Sequence, residues 1–120
     1  MITGAVNPFR EAIIHLEVQG LSGQSVEIEA VIDTGYDGYL TLPAHVISAL
    51  GLPWHETTSA ELADGSTVLF DVYRGIVVWN GQPRRIPIDE AETTPLVGMR
   101  LLYGHTLTIQ VLDGGNVTIV

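Results

Sequence analysis

The chain contains no cysteine and no lysine. Without thiols there is no disulfide, no thiolate nucleophile and no cysteine-based metal site, a composition that suits a cytoplasmic protein. Without lysine there is no Schiff-base chemistry and no lysine-dependent phosphate loop. Positive charge is scarce altogether. Arg10, Arg74, Arg84, Arg85 and Arg100 are the whole basic complement against 14 acidic residues, for a net charge of −9. Nucleic-acid binding needs a basic footprint, so nucleic acid is not expected as a partner. The one adjacent pair, Arg84-Arg85, reads as a solvated loop pair. No apolar run approaches the ~18 residues that cross a bilayer, so no membrane partner is expected. Met1 to Gly4 opens without the basic and apolar regions of a secretory signal. There is no Gly-x-Ser-x-Gly elbow. His15, His45, His55 and His105 are scattered without ligand spacing, so neither a metal nor another cofactor is expected.

What is present is a chain of 120 residues, 46% of them hydrophobic, enough to build a core and suited to one domain spanning 1–120. Its dominant period is two. Residues 2–6 form a short leading strand. Residues 11–19 set Ile14, Leu16 and Val18 on one face against Ile13, His15 and Glu17. A turn at Leu21-Ser22-Gly23-Gln24 leads into a strand over 25–32, completing a hairpin. A second hairpin over 58–73 turns at Ala63-Asp64-Gly65-Ser66, read as a two-residue turn. A third turns at Asn80-Gly81, between Ile76–Trp79 and Arg85–Ile88. Asp89 to Thr94 is an acidic connection, and residues 106–112 and 116–120 form a last hairpin. Two short helices interrupt the pattern. One runs over about 43–50, capped by Thr41 or Leu42, with Pro43 in its first turn and Gly51 at its end. The other covers Met99 to Tyr103, before Gly104. The sum is a mainly β fold, a small closed barrel-like structure with two short helices. Trp54 and Trp79 are read as core or interface aromatics.

The chain is organised around Val31-Ile32-Asp33-Thr34-Gly35-Tyr36-Asp37-Gly38, followed by Tyr39-Leu40-Thr41-Leu42-Pro43. An apolar strand lifts one carboxylate, Asp33, to the lip of a tight turn. Gly35 is expected to bend the backbone there at positive φ, where only glycine escapes a Cβ penalty. The Thr34 hydroxyl can fix the loop by hydrogen bonding. Asp and Gly are ordinary turn residues, so the tripeptide alone decides little. The wider pattern decides more. Apolar-Asp-Thr-Gly is followed by Leu-Thr-Leu-Pro and a helix. An Asp-Gly hairpin comes some 30 residues on. Leu96-Val97-Gly98 then leads into a second helix, echoing the first strand–loop–helix unit.

That combination resembles the retropepsin-like aspartic proteases, in particular their small bacterial single-domain members, over nearly the whole chain. The resemblance implies the acid-protease fold and names site residues. Asp33 would be the catalytic aspartate. Thr34 and Gly35 would complete its loop, Thr34 interlocking with the same loop of a second chain. The hairpin around Ala63, Asp64 and Gly65 would be the flap that closes over substrate. Leu96, Val97 and Gly98 would form the apolar-apolar-Gly element beneath the catalytic loop. One departure stands out: viral members place arginine directly after that glycine, whereas here Met99 intervenes before Arg100. The pairing of Arg100 with Asp37 is left open.

The chemistry needs two carboxylates sharing a proton, and this chain supplies one Asp-Thr-Gly. The expectation is therefore a homodimer that hydrolyses peptide or protein substrates between two Asp33 carboxylates, one per chain. The alternative is a non-catalytic dimer of the same fold that binds peptides or serves as a dimerisation module.

Overall fold

A computed structural model describes residues 1–120. The strands run in chain order as β1 (Ile2–Val6), β2 (Ala12–Gln19), β3 (Ser25–Ile32), β4 (Leu40–Leu42), β5 (Trp54–Glu61), β6 (Thr67–Trp79), β7 (Gln82–Glu90), β8 (Leu96–Val97), β9 (Leu107–Ile109) and β10 (Asn116–Ile119). Helix α1 (Ala44–Leu50) follows β4, and α2 (Met99–Leu102) follows β8. The architecture is mainly β, as the alternating pattern requires.

All strands join one sheet in the order β5-β6-β7-β4-β8-β3-β2-β1-β10-β9. A further antiparallel contact, Val18 with Val77 and Gln19 with Ile76, joins β2 back to β6. The path from β6 through β7, β4, β8, β3 and β2 thus closes on itself. The inward faces of this ring bury Ile14, Leu16 and Val18 from β2, Ile28, Ala30 and Ile32 from β3, and Ile86 and Ile88 from β7. The opposite positions, His15, Glu17, Glu27 and Glu29, are exposed. Burying one face and wetting the other fixes register, because a one-residue slip would invert both sets.

Three local readings are corrected. The second and third hairpins share one strand: β6 is continuous over 13 residues and pairs first with β5 and then with β7. Its first residues are exposed, and only from Val72 onward does it join the core. Arg84 and Arg85 therefore lie within β7, not in a loop, and the Arg84 guanidinium sits 5.5 Å from the centroid of the Tyr39 ring. The N-cap of α1 is Pro43, in extended backbone, with no side-chain cap from its own segment. Glu92 supplies one from elsewhere, its Oε1 accepting the Ala44 N–H at 2.8 Å. A carboxylate suits the partial positive charge of a helix start. Gly51 ends α1 as expected, in the left-handed region at φ 61°.

Trp79 is buried, and its indole N–H donates to His105 Nε2 at 3.1 Å, whereas Trp54 is exposed and donates to Asp71 at 3.1 Å. No helix is long and apolar enough to cross a membrane.

Thr41 is the one polar side chain fully inside the core, and its Oγ1 accepts the Leu96 N–H at 2.8 Å. This bond ties β4 to the entrance of β8. Thr41→Val keeps the shape but leaves that N–H buried without a partner. The expected cost is about 1–3 kcal/mol, read from urea unfolding with an unchanged m-value.

Candidate active site

Asp33 follows directly on β3, and its position is set by β8. Strands β3 and β8 run parallel, Val31 opposite Leu96 and Ile32 opposite Val97. Backbone bonds continue the ladder on both sides: Val31 N–H donates to Pro95 O and Asp33 N–H to Val97 O, each at 2.9 Å. Beyond the loop, β4 returns antiparallel to β8, Leu40 opposite Val97. Leu96-Val97-Gly98 is thus clamped between the strand entering the Asp33 loop and the strand leaving it.

Gly98 holds the two together. Its N–H donates to Tyr39 O at 3.0 Å, Met99 N–H to Tyr36 O at 2.8 Å and Arg100 N–H to Gly38 O at 3.1 Å. The loop from Asp33 to Gly38 is therefore pinned by the backbone at the start of α2. Within it, Asp33 Oδ1 accepts the Gly35 N–H at 2.9 Å, an Asx-type closure that fixes the carboxylate's direction. Gly35 does not lie at positive φ, contrary to expectation. What selects a small residue is proximity, since a Cβ there would sit 3.2 Å from Asp33 Oδ1. Asp33 stays half-exposed, and Thr34 is exposed beside it.

The displaced arginine does reach the loop. Arg100 Nη2 lies 3.4 Å from Asp37 Oδ2. The two side chains are 57% and 92% exposed, so water and salt screen the pair. Arg100→Ala is expected to cost less than about 1 kcal/mol, an effect that shrinks further in high salt. Urea melts at low and high ionic strength check it.

The loop separates two concavities. On one side Thr34 and Asp37 join Met99, Tyr103 and Leu107 around an open depression of about 600 Å³. Met99 and Tyr103 are 48% and 86% exposed. On the other side Tyr36 faces the β5–β6 hairpin across a cleft of about 350 Å³, whose lining includes Val68, Leu69 and Phe70. The hairpin's tip is Ala63-Asp64-Gly65, a three-residue loop and not the two-residue turn expected. Gly65 N–H donates to Leu62 O at 2.9 Å and Leu62 N–H to Ser66 O at 2.7 Å, with Gly65 at φ +84°. That is a type I turn closed by a left-handed residue. Asp64 belongs to the turn. The Ser66 hydroxyl and then the Ser66 N–H donate to its carboxylate and hold it below its usual pKa. Leu62, Val68 and Leu69 are exposed along the hairpin, which carries apolar side chains into solvent.

Sequence reasoning passed over two residues at the heart of this region. The Tyr36 hydroxyl donates to Asp89 Oδ2 at 2.5 Å, joining the Asp33 loop to β7. Burial foremost, and then the hydrogen bond to Asp89, push the Tyr36 phenol well above its ordinary pKa, so it remains a donor. Burial also raises the Asp89 carboxyl, opposed by the Tyr36 bond and by the charge of Arg100. The histidines bring no metal ligands together; no group of three or more His, Cys, Asp or Glu side chains is placed to hold an ion.

No protein-family model matches the chain, and no curated protein matches it in sequence. Among solved structures it is similar to a retropepsin-like aspartic protease from Rickettsia conorii, with a TM-score of 0.60 and 17% identity over 99% of this chain and 91% of that one. The strand ring, the parallel pairing of β3 with β8 and the projecting hairpin thus constitute a retropepsin-like fold.

Proposed function

We propose that the chain is an aspartic endopeptidase that works as a homodimer, Asp33 of each protomer facing its twin across a two-fold axis. The observation that carries this reading is the Asp33 turn itself. A carboxylate is fixed by the Gly35 N–H, stays accessible, and stands on a loop that borders a cleft under a projecting hairpin. A structural aspartate at such a turn needs neither the cleft nor the hairpin.

Two carboxylates about 3 Å apart, at an effective dielectric of about 20, repel by roughly 5 kcal/mol when both are charged. One therefore keeps its proton well above the ordinary aspartate range. The charged member takes a proton from a water, which attacks the scissile carbonyl. The protonated member polarises that carbonyl and later helps protonate the leaving nitrogen. These roles belong to the pair and neither chain owns one. Substrate lies extended between loop and hairpin, held by main-chain hydrogen bonds with side chains in apolar pockets. The exposed Thr34, Met99 and Tyr103, beside the sheet's terminal strand β9, form the face that supports pairing.

The test is solution mass by light scattering together with cleavage of a peptide library at pH about 4–6. The reading expects a dimer that cuts, and an Asp33→Asn dimer that does not. A protein that stays monomeric under assay conditions overturns it. A wild-type dimer as silent as the variant leaves the non-catalytic peptide-binding reading.

A further inference from the structure

We propose that the cleft between the Asp33 loop and the projecting hairpin is a subsite for a cationic peptide side chain, arginine before lysine, with Asp89 and Glu90 at its inner end. The proposal rests on the endopeptidase reading for its peptide and adds the class of residue that the peptide presents.

The cleft has two parts of opposite chemistry. Its walls are apolar and aromatic, formed by Val68, Leu69 and Phe70 of the hairpin and by the Tyr36 ring of the loop. Its inner end carries the carboxylates of Asp89 and Glu90, the last residues of β7. Neither has a cationic partner. The chain's single ion pair joins Arg100 to Asp37, and Arg100, the cation whose charge reaches Asp89, makes no ion pair with it. Asp89 accepts from the Tyr36 phenol, and Glu90 from the Tyr73 phenol at a long 3.4 Å. A carboxylate offers about four acceptor sites, so both retain capacity toward the cleft.

This arrangement discriminates among occupants. An apolar side chain filling the cleft would strip water from two carboxylates and return no hydrogen bond. An acidic one would add like charge. A divalent cation lacks ligands, since no third metal-binding side chain joins the pair. An arginine fits both parts: its methylene stem lies along the apolar walls, and its planar head donates to the acids. Guanidinium also stacks on aromatic faces, and Tyr36 and Phe70 offer them, which ranks arginine above lysine. The net charge of −9 steers basic peptides in the same direction.

Binding separates this proposal from the cleavage chemistry. Extended peptides identical except for one arginine or its neutral isostere citrulline, scanned along the sequence, are titrated into the Asp33→Asn protein at pH 7 and low salt. At one position arginine is expected to bind about tenfold tighter than citrulline. In Asp89→Asn/Glu90→Gln that ratio falls to about one. Glu90→Gln alone, which alters only the long bond from Tyr73, lowers it partway and guards against misfolding of the double variant. A ratio near one at every position in the parent protein, or a ratio that survives in the double variant, overturns the subsite. If wild type cleaves the library without preferring basic residues, the endopeptidase reading stands and the subsite falls. If arginine is preferred in binding but nothing is cut, the subsite stands and the endopeptidase reading falls.

Discussion

Gly98→Ala is expected to cost at least about 3 kcal/mol and to leave the chain largely unfolded at moderate urea. A Cβ on Gly98 would overlap the Gly38 carbonyl oxygen and lie 2.6 Å from Tyr36 Cδ2 and 2.8 Å from Tyr36 O. Two of these three neighbours are backbone atoms of the Asp33 loop, so no rotamer change relieves the clash. They are also acceptors. Gly38 O takes the Arg100 N–H and Tyr36 O takes the Met99 N–H, so moving the loop away breaks the bonds that pin it. A domain stable by about 5–15 kcal/mol loses a large share of its margin to that one methyl group. Gly65→Ala in the hairpin tip is the matched control. Its φ of +84° strains any side chain, but nothing lies within 4 Å of the added Cβ. The expected cost there is about 1–2 kcal/mol, and the tip is far from the core. A Gly98→Ala variant that melts like Gly65→Ala would show that the loop and β8 are not clamped as described.

Local chemistry in the chain was sufficient to read most of the hairpins, and insufficient to read what crosses between them. Asn80-Gly81 is legible because both residues take positive φ, at 52° and 79°, as a two-residue hairpin turn demands. Ala63-Asp64-Gly65 was legible as a turn but not in its length. The same Asp-Gly pair serves a three-residue loop when glycine takes only the last, left-handed place. The unity of β6 was hidden because its two halves live in different environments: exposed in the hairpin, alternately buried in the ring. Periodicity records burial, and burial changes partway along the strand. Contacts between distant segments leave no local trace. Glu92 caps α1 from outside its segment, and Tyr36 bonds Asp89 across 53 positions. Asp89 read as part of an acidic connection because its strand partner and its phenol lie elsewhere in the chain. The parallel pairing of the strand before Asp33 with Leu96-Val97 has no turn between its members to announce it, so local sequence carries no sign of that contact.

Asp33→Asn is expected to lower kcat/KM by about 10³-fold or more, within or beyond the range general acid–base groups contribute. Stability should barely change. Asparagine keeps the oxygen that accepts the Gly35 N–H, and the side chain is half in water. The more telling measurement mixes the two proteins. Under the homodimer reading each active centre takes one acid from each protomer, so a mixed dimer holds a single ionisable carboxylate and no shared proton. With equal amounts of wild type and variant exchanging freely, about a quarter of the dimers keep both acids. Activity should then fall to about half of what the same wild-type protein shows as undiluted dimer, at unchanged KM for the survivors. If each chain carried a complete site, adding the variant would remove nothing. The quadratic loss and the linear outcome differ most when the variant is in excess: at threefold excess about a quarter of the wild-type signal remains in the first case and all of it in the second. Titrating the variant into a fixed amount of wild type therefore reads the stoichiometry of the acid pair directly, from chemistry and not from mass.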